Sequence, residues 1–113
     1  MTFADYMNKS TVFETGRNSR RIRISRNDSG EPFISVDLHG MQKEEAAYFI
    51  QRLINSNPFA FSMEIIYGFN HGTVLRNMIN RELVNMRIAD RYSVPWNPGS
   101  TYLTIVIISR NPE

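Results

Sequence analysis

The sequence predicts a small two-layer α/β sandwich, with a mixed sheet of four to five strands and two main helices. Three observations carry that expectation. Apolar residues alternate with polar ones in "RRIRISR" and "FISVDL", the period of half-buried strands. They then recur at helical spacing, first at Ala46, Ile50, Leu53 and Ile54 and again at Leu75, Met78, Ile79 and Leu83. Between and after these stripes stand the apolar runs "SMEIIY" and "TYLTIVIIS". The resulting order, β-β-α-β-α-β-β, places strand–helix–strand units with parallel strands inside the sheet.

Residues 1–19 show little periodicity and are rich in Asn, Ser and Thr, so they read as an N-terminal arm before a single domain over 20–110. The turn "NDSGEP", with Gly30 and Pro32, joins the first two strands. The first helix starts after Met41, with Glu44 and Glu45 in its first turn complementing the dipole. It stops at "SNP", because Asn57 precedes Pro58 and such a residue avoids the helical region. The second helix runs from about Thr73 to Met86, and "RIADRYSVPW" holds a further strand. "NPGS" is expected to turn into "TYLTIVIIS", a continuous β-branched run expected to be a central strand buried on both faces. Trp96 is expected to pack under that turn, the alternative being a platform for stacking.

At 113 residues the chain suits one domain, and 42% apolar with 21% charged residues is the balance of a globular protein. The absence of cysteine excludes disulfides, thiolate zinc sites and thiol nucleophiles. No apolar run reaches the roughly 20 residues of a membrane helix. The start "MTFADYMNK" has no signal-peptide pattern, so a cytoplasmic location without a membrane partner is expected. Net charge is only +2, yet eleven of the thirteen basic residues are arginine, whose planar fork suits phosphate. Arg17, Arg20, Arg21, Arg23 and Arg26 concentrate the positive field near the N-terminus. Arg20, Arg21 and Arg23 are therefore candidate phosphate contacts; the competing reading is a charged edge strand that resists aggregation.

The two histidines occupy similar settings, in "SVDLHGMQKEE" and "EIIYGFNHGTVLR". Each follows a strand and precedes a glycine and a helix. Ligands of open parallel sheets gather outside the carboxyl ends of the strands, so loops leaving Leu38 and Tyr67 should share one edge. Gly40 and Gly72 permit close backbone approach, and a helix start suits an anion. The loop Gly68, Phe69, Asn70, His71, Gly72 and Thr73 makes the better phosphate cradle, with Arg76 one turn into the helix behind it. Tyr67 and Phe69 would either stack on bases or cover the core.

"VDLHG" before an acidic helix start, "IIYGFNHGTVLR" and the closing "TYLTIVII" together resemble the small MutS-related (Smr) domain, over about Ile34 to Ile108. The resemblance implies a fold similar to the C-terminal domain of translation initiation factor three. It also implies a nucleic-acid-binding module that in several members cleaves DNA or RNA. The family's Asp-x-His element falls on Asp37 and His39, its glycine loop on Gly68 to Thr73, and Leu75 and Arg76 complete the motif. Many members begin that loop with His-Gly-Lys-Gly. Here it begins Tyr67-Gly68-Phe69-Asn70, one residue longer and without the lysine.

Cleavage of RNA through its 2′-hydroxyl needs a base, an acid and a cation for the developing charge. His39, His71 and Arg76 would supply them, and Asp37 would hold the His39 tautomer. In the competing reading Asp37 caps the turn and His39 bonds a backbone carbonyl. No cofactor is required by this chemistry; the alternative is magnesium or manganese held loosely by Asp37 and His39. The sequence thus points to an endonuclease acting on RNA or DNA. A non-catalytic nucleic-acid-binding or adaptor module using the same surface is the alternative, and binding of a small phosphorylated ligand is a third reading.

Overall fold

The alternation in "IRISR" and "PFISVD" becomes a hairpin of strands β1 (Ile22–Arg26) and β2 (Pro32–Asp37), in a computed structural model that describes residues 19–68 and 73–108. The hairpin loop is shaped by Asn27, whose Oδ1 accepts the N–H groups of Ser29 and Glu31, both at 2.9 Å. Gly30, at φ +81, supplies the left-handed residue. A short 3-10 turn, Ser19–Arg21, leads into β1. Most of the sequence-predicted arm, with Arg17, lies outside the described residues.

Helix α1 (Lys43–Asn55) buries Ala46, Phe49, Ile50, Leu53 and Ile54 and ends where "SNP" requires. Strand β3 (Phe61–Ile66) follows, then helix α2, which is α-helical over Thr73–Asn77 and widens into a π-helical turn over Met78–Glu82. Strands β4 (Ile88–Val94) and β5 (Asn97–Ile105) close the chain. Lys43 pairs with Glu82 at 2.7 Å, joining the start of α1 to the end of α2. The hydrogen bond and charge of Glu82 raise the Lys43 pKa.

The five strands run in the order β1-β2-β3-β5-β4. Only β2 and β3 pair in parallel; β1 with β2, β3 with β5 and β5 with β4 are antiparallel. It follows that β2, β3 and β4 point the same way, and their carboxyl ends share one edge. Both helices cover one face of the sheet, where Ile34, Val36, Met63, Ile65, Leu103 and Ile105 meet Ile50, Leu53, Met78 and Ile79 in a continuous core. The domain is thus the expected two-layer α/β sandwich. None of its helices is long and apolar enough to cross a membrane, among the described residues.

Three local expectations are corrected. β5 is an interior strand but is buried on one face only: Thr101, Leu103 and Ile105 are buried while Tyr102 and Thr104 are half-exposed. The reason is that both helices lie on the same side, and the central place belongs to β3. "NPGS" is not the turn; those residues begin β5, and the reversal is made by Pro95 and Trp96. Helix α2 ends at Glu82 rather than Met86. The Arg91 guanidinium takes the carbonyls of Ile79 and Leu83, and Asn85 Oδ1 accepts the Arg87 N–H at 2.9 Å to start the turn into β4.

Candidate functional site

Two strand exits lie side by side on the shared edge. Leu38 extends the β2–β3 ladder, its N–H donating to the Ile66 carbonyl at 2.8 Å, and its side chain is fully buried. Asp37 and His39, flanking it, are both exposed. The Asp37 Oδ1 accepts the backbone N–H of His39 at 2.8 Å, which makes the turn an Asx turn. Met41 N–H then donates to the Leu38 carbonyl at 2.9 Å. Gly40 stands between them at φ +83, a conformation that disfavours any residue with a Cβ.

This geometry bears on the roles expected of Asp37 and His39. The Asp37 bond goes to the main chain of His39, as in the capping reading, and not to its ring. The imidazole has no hydrogen-bond partner among the described residues. It is presented to solvent by a backbone held on both sides.

Arg21 does much of that holding. Its Nη1 donates to the carbonyls of Asp37 at 2.9 Å and His39 at 2.8 Å. Among the phosphate candidates it is therefore the one whose fork is turned onto the protein itself. Its location was implicit in the hairpin, because the pairing of Ile22 with Val36 places Arg21 opposite Asp37. Arg20 and Arg23 are exposed, with no hydrogen bond or ion pair to another described residue. Arg23 stands on the open face of the sheet, paired with Ser35.

The second exit is equally rigid up to Gly68. The N–H groups of Tyr67 and Gly68 both donate to the Gly99 carbonyl, at 2.9 and 3.1 Å, and Gly68 has φ +83. Tyr67 is 4% exposed, so it covers the core rather than stacking on a ligand. Its hydroxyl bonds Thr101 Oγ1 at 2.8 Å, and that hydroxyl donates to Asn80 Oδ1 at 2.9 Å. This buried chain ties the end of β3 to β5 and α2. Phe69, Asn70, His71 and Gly72 lie outside the described residues. On the far side of them Thr73 and Arg76 are exposed at the start of α2, and Arg76 has no partner among the described residues.

The shared edge therefore brings together Arg21, Asp37, His39, Gly40 and Gly68, with Trp96 at the reversal between β4 and β5. Trp96 does not pack under the turn: it is 82% exposed. Asp37 Oδ1 is already engaged, and no group of three His, Cys, Asp or Glu side chains that could hold an ion occurs among the described residues.

Two arginines outside the site are structural. Arg87 donates from Nε to Val106 at 2.8 Å, from Nη1 to the carbonyls of Ile54 (2.6 Å) and Asn57, and from Nη2 to Phe59 at 2.7 Å. Arg91 caps α2 as described above. Composition alone counts both as basic charge available to an anion; only the fold shows which carbonyls they serve. At the opposite edge a groove of about 760 Å³ is lined by Asn55, Pro58, Asn85, Met86, Arg87, Ile107 and Ile108. It offers no acid, base or nucleophile. Compared with known protein families, curated proteins and solved structures, the chain matches none.

Proposed function

We propose that the chain is a nucleic-acid-binding domain of the small MutS-related type that cleaves phosphodiester bonds in RNA or DNA at the β2/β3 edge, in a cytoplasmic setting. The observation that carries this reading is His39: an imidazole held out into solvent by a clamped, glycine-containing turn, next to a second left-handed glycine exit at Gly68. An imidazole open to solvent can exchange protons with a substrate that reaches it.

On RNA, His39 takes the proton from a 2′-hydroxyl as its oxygen attacks the adjacent phosphorus. The 5′-oxygen leaves with a proton from a general acid, the role given to His71. Arg76 offsets charge on the phosphoryl oxygens. Arg20 and Arg23 contribute sequence-independent phosphate contacts. Because Asp37 is engaged with the main chain, its part is to position the turn that carries His39.

The same engagement favours a second reading, a non-catalytic nucleic-acid-binding or adaptor module. Without a carboxylate behind the ring, His39 would act as a phosphate or base contact. Incubating the protein with labelled single- and double-stranded RNA and DNA, with and without chelator, and following both retention and cut ends separates the two. Cut ends that disappear in His39→Ala support the nuclease; retention without cutting under every metal condition supports the binder.

A further inference from the structure

Trp96 is the most exposed large apolar side chain among the described residues and the only tryptophan of the chain. Its exposure leaves most of its bulk in water, so folding gains little from it. Its surroundings are nonetheless rigid. Pro95 precedes it and Pro98 follows Asn97, which restricts the backbone on both sides. Asn97 Nδ2 donates to Glu64 Oε2 at 3.0 Å and to the Tyr102 hydroxyl at 2.9 Å. Glu64 also accepts from Ser100 Oγ at 3.1 Å, and Tyr102 stacks on Tyr92 with ring centroids 5.4 Å apart. The turn is thus pinned to the middle of the sheet.

It is pinned to the candidate site as well. The carbonyl of Gly99, three residues on, accepts the Tyr67 and Gly68 N–H groups, and a Cβ built on Gly99 would lie 3.5 Å from the Gly68 backbone. By the strand order β2-β3-β5-β4, the reversal that carries Trp96 stands beyond β3 from the β2 exit that carries His39, on the same side of the sheet. Arg20 and Arg21 stand at the other end of the same edge. A ligand lying along it meets cation, imidazole, glycine exit and indole in turn.

We propose that Trp96 stacks on an unpaired base, and hence that the substrate class of the His39 site is single-stranded nucleic acid, or the single-stranded part of a junction, rather than continuous duplex. The inference rests on the nucleic-acid reading above. Its chemistry is simple: an indole reaches the face of a base only where no neighbouring base covers it, which excludes the interior of a duplex. A backbone held by two prolines and a hydrogen-bonded asparagine loses little freedom on binding, so the cost of stacking is confined to the indole's own rotation.

The test uses the intact chain and its own indole as the probe. Single strands of about twelve nucleotides, and the same sequences as blunt duplexes, are titrated while following tryptophan fluorescence and the anisotropy of a label on the oligonucleotide. The expected result is quenching by single strands only. Trp96→Ala should weaken single-strand binding about five- to a hundredfold. It should leave duplex binding and the salt slope unchanged, because an indole neutralises no phosphate. Trp96→Phe should recover part of the affinity, and both variants should keep the parent's urea midpoint. Equal binding of single strands by parent and Trp96→Ala, or equal quenching by duplex, overturns the stacking while leaving the nucleic-acid reading in place. If no oligonucleotide is bound at all, both fall together.

Discussion

Arg21 holds the main chain of His39: one guanidinium nitrogen donates to the His39 carbonyl at 2.8 Å and, two residues earlier, to the Asp37 carbonyl at 2.9 Å. The residue before the first strand thus fixes the loop after the second. Because the charge is engaged with backbone dipoles, its loss is felt as lost order before it is felt as lost attraction for phosphate.

Arg21→Ala is accordingly expected to destabilise the fold by about 1–3 kcal/mol, the usual range for a charge-assisted hydrogen bond left unmade. It should also raise amide exchange over 38–41. Arg20→Ala and Arg23→Ala should leave stability within about 0.5 kcal/mol. Each of those two should flatten the salt dependence of nucleic-acid binding by about one unit. Urea titrations and affinities at several salt concentrations distinguish the two behaviours. A slope untouched by Arg20→Ala and Arg23→Ala would leave these arginines as protection for the β1 edge.

For the proposed nuclease, His39→Ala should lower cleavage about a hundredfold or more with affinity nearly intact, since proton transfer acts in the transition state. Asp37→Asn should cost much less. An asparagine oxygen still accepts the His39 N–H and keeps the Asx turn. Asp37→Ala removes that acceptor and should resemble a loosened loop, with raised exchange at His39. If Asp37→Asn proves as damaging as His39→Ala and activity also vanishes with chelator, the carboxylate is acting as a metal ligand instead.

Gly40 and Gly68 share φ +83, and a Cβ built on either meets nothing within 4 Å. The cost of substitution is therefore backbone strain rather than collision. Gly40→Ala and Gly68→Ala should each destabilise by about 1–2 kcal/mol. For a domain of this size that lowers the melting temperature by roughly 4–8 °C per kcal/mol, which calorimetry will show. Unchanged melting would mean the turn refolds into another type.

Arg87→Ala should be the most damaging of the arginine substitutions. Four carbonyls, from the end of α1, the following loop and the residue after β5, lose one common donor. We expect a loss of about 3 kcal/mol or more, and little rescue by lysine, whose point charge cannot span that fan of acceptors. The urea midpoints of Arg87→Ala and Arg87→Lys check both statements.

The order of the elements, the two-layer class and the shared edge of the β2 and β3 exits were legible in the sequence. They depend on local regularities: the alternation of Ile34 and Val36, the helical spacing of Ile50, Leu53 and Ile54, and the stop at Pro58. Such patterns record which face of an element is buried, and burial is the main force that fixes elements in layers.

What lay beyond the sequence were the facts that depend on which residues meet across long separations. Whether β5 is covered on both faces depends on where both helices settle, and they settle on one side. Which arginines are available to an anion depends on which carbonyls are left unpaired near them, so Arg21, Arg87 and Arg91 serve the backbone while Arg20, Arg23 and Arg76 face solvent. Whether Asp37 bonds the ring or the main chain of His39 is decided by the left-handed Gly40 and the Arg21 clamp. Whether Trp96 is buried or presented is decided by Asn97 reaching Glu64 on the neighbouring strand β3. Periodicity is a property of one segment; a hydrogen-bond partner is a property of the assembled fold.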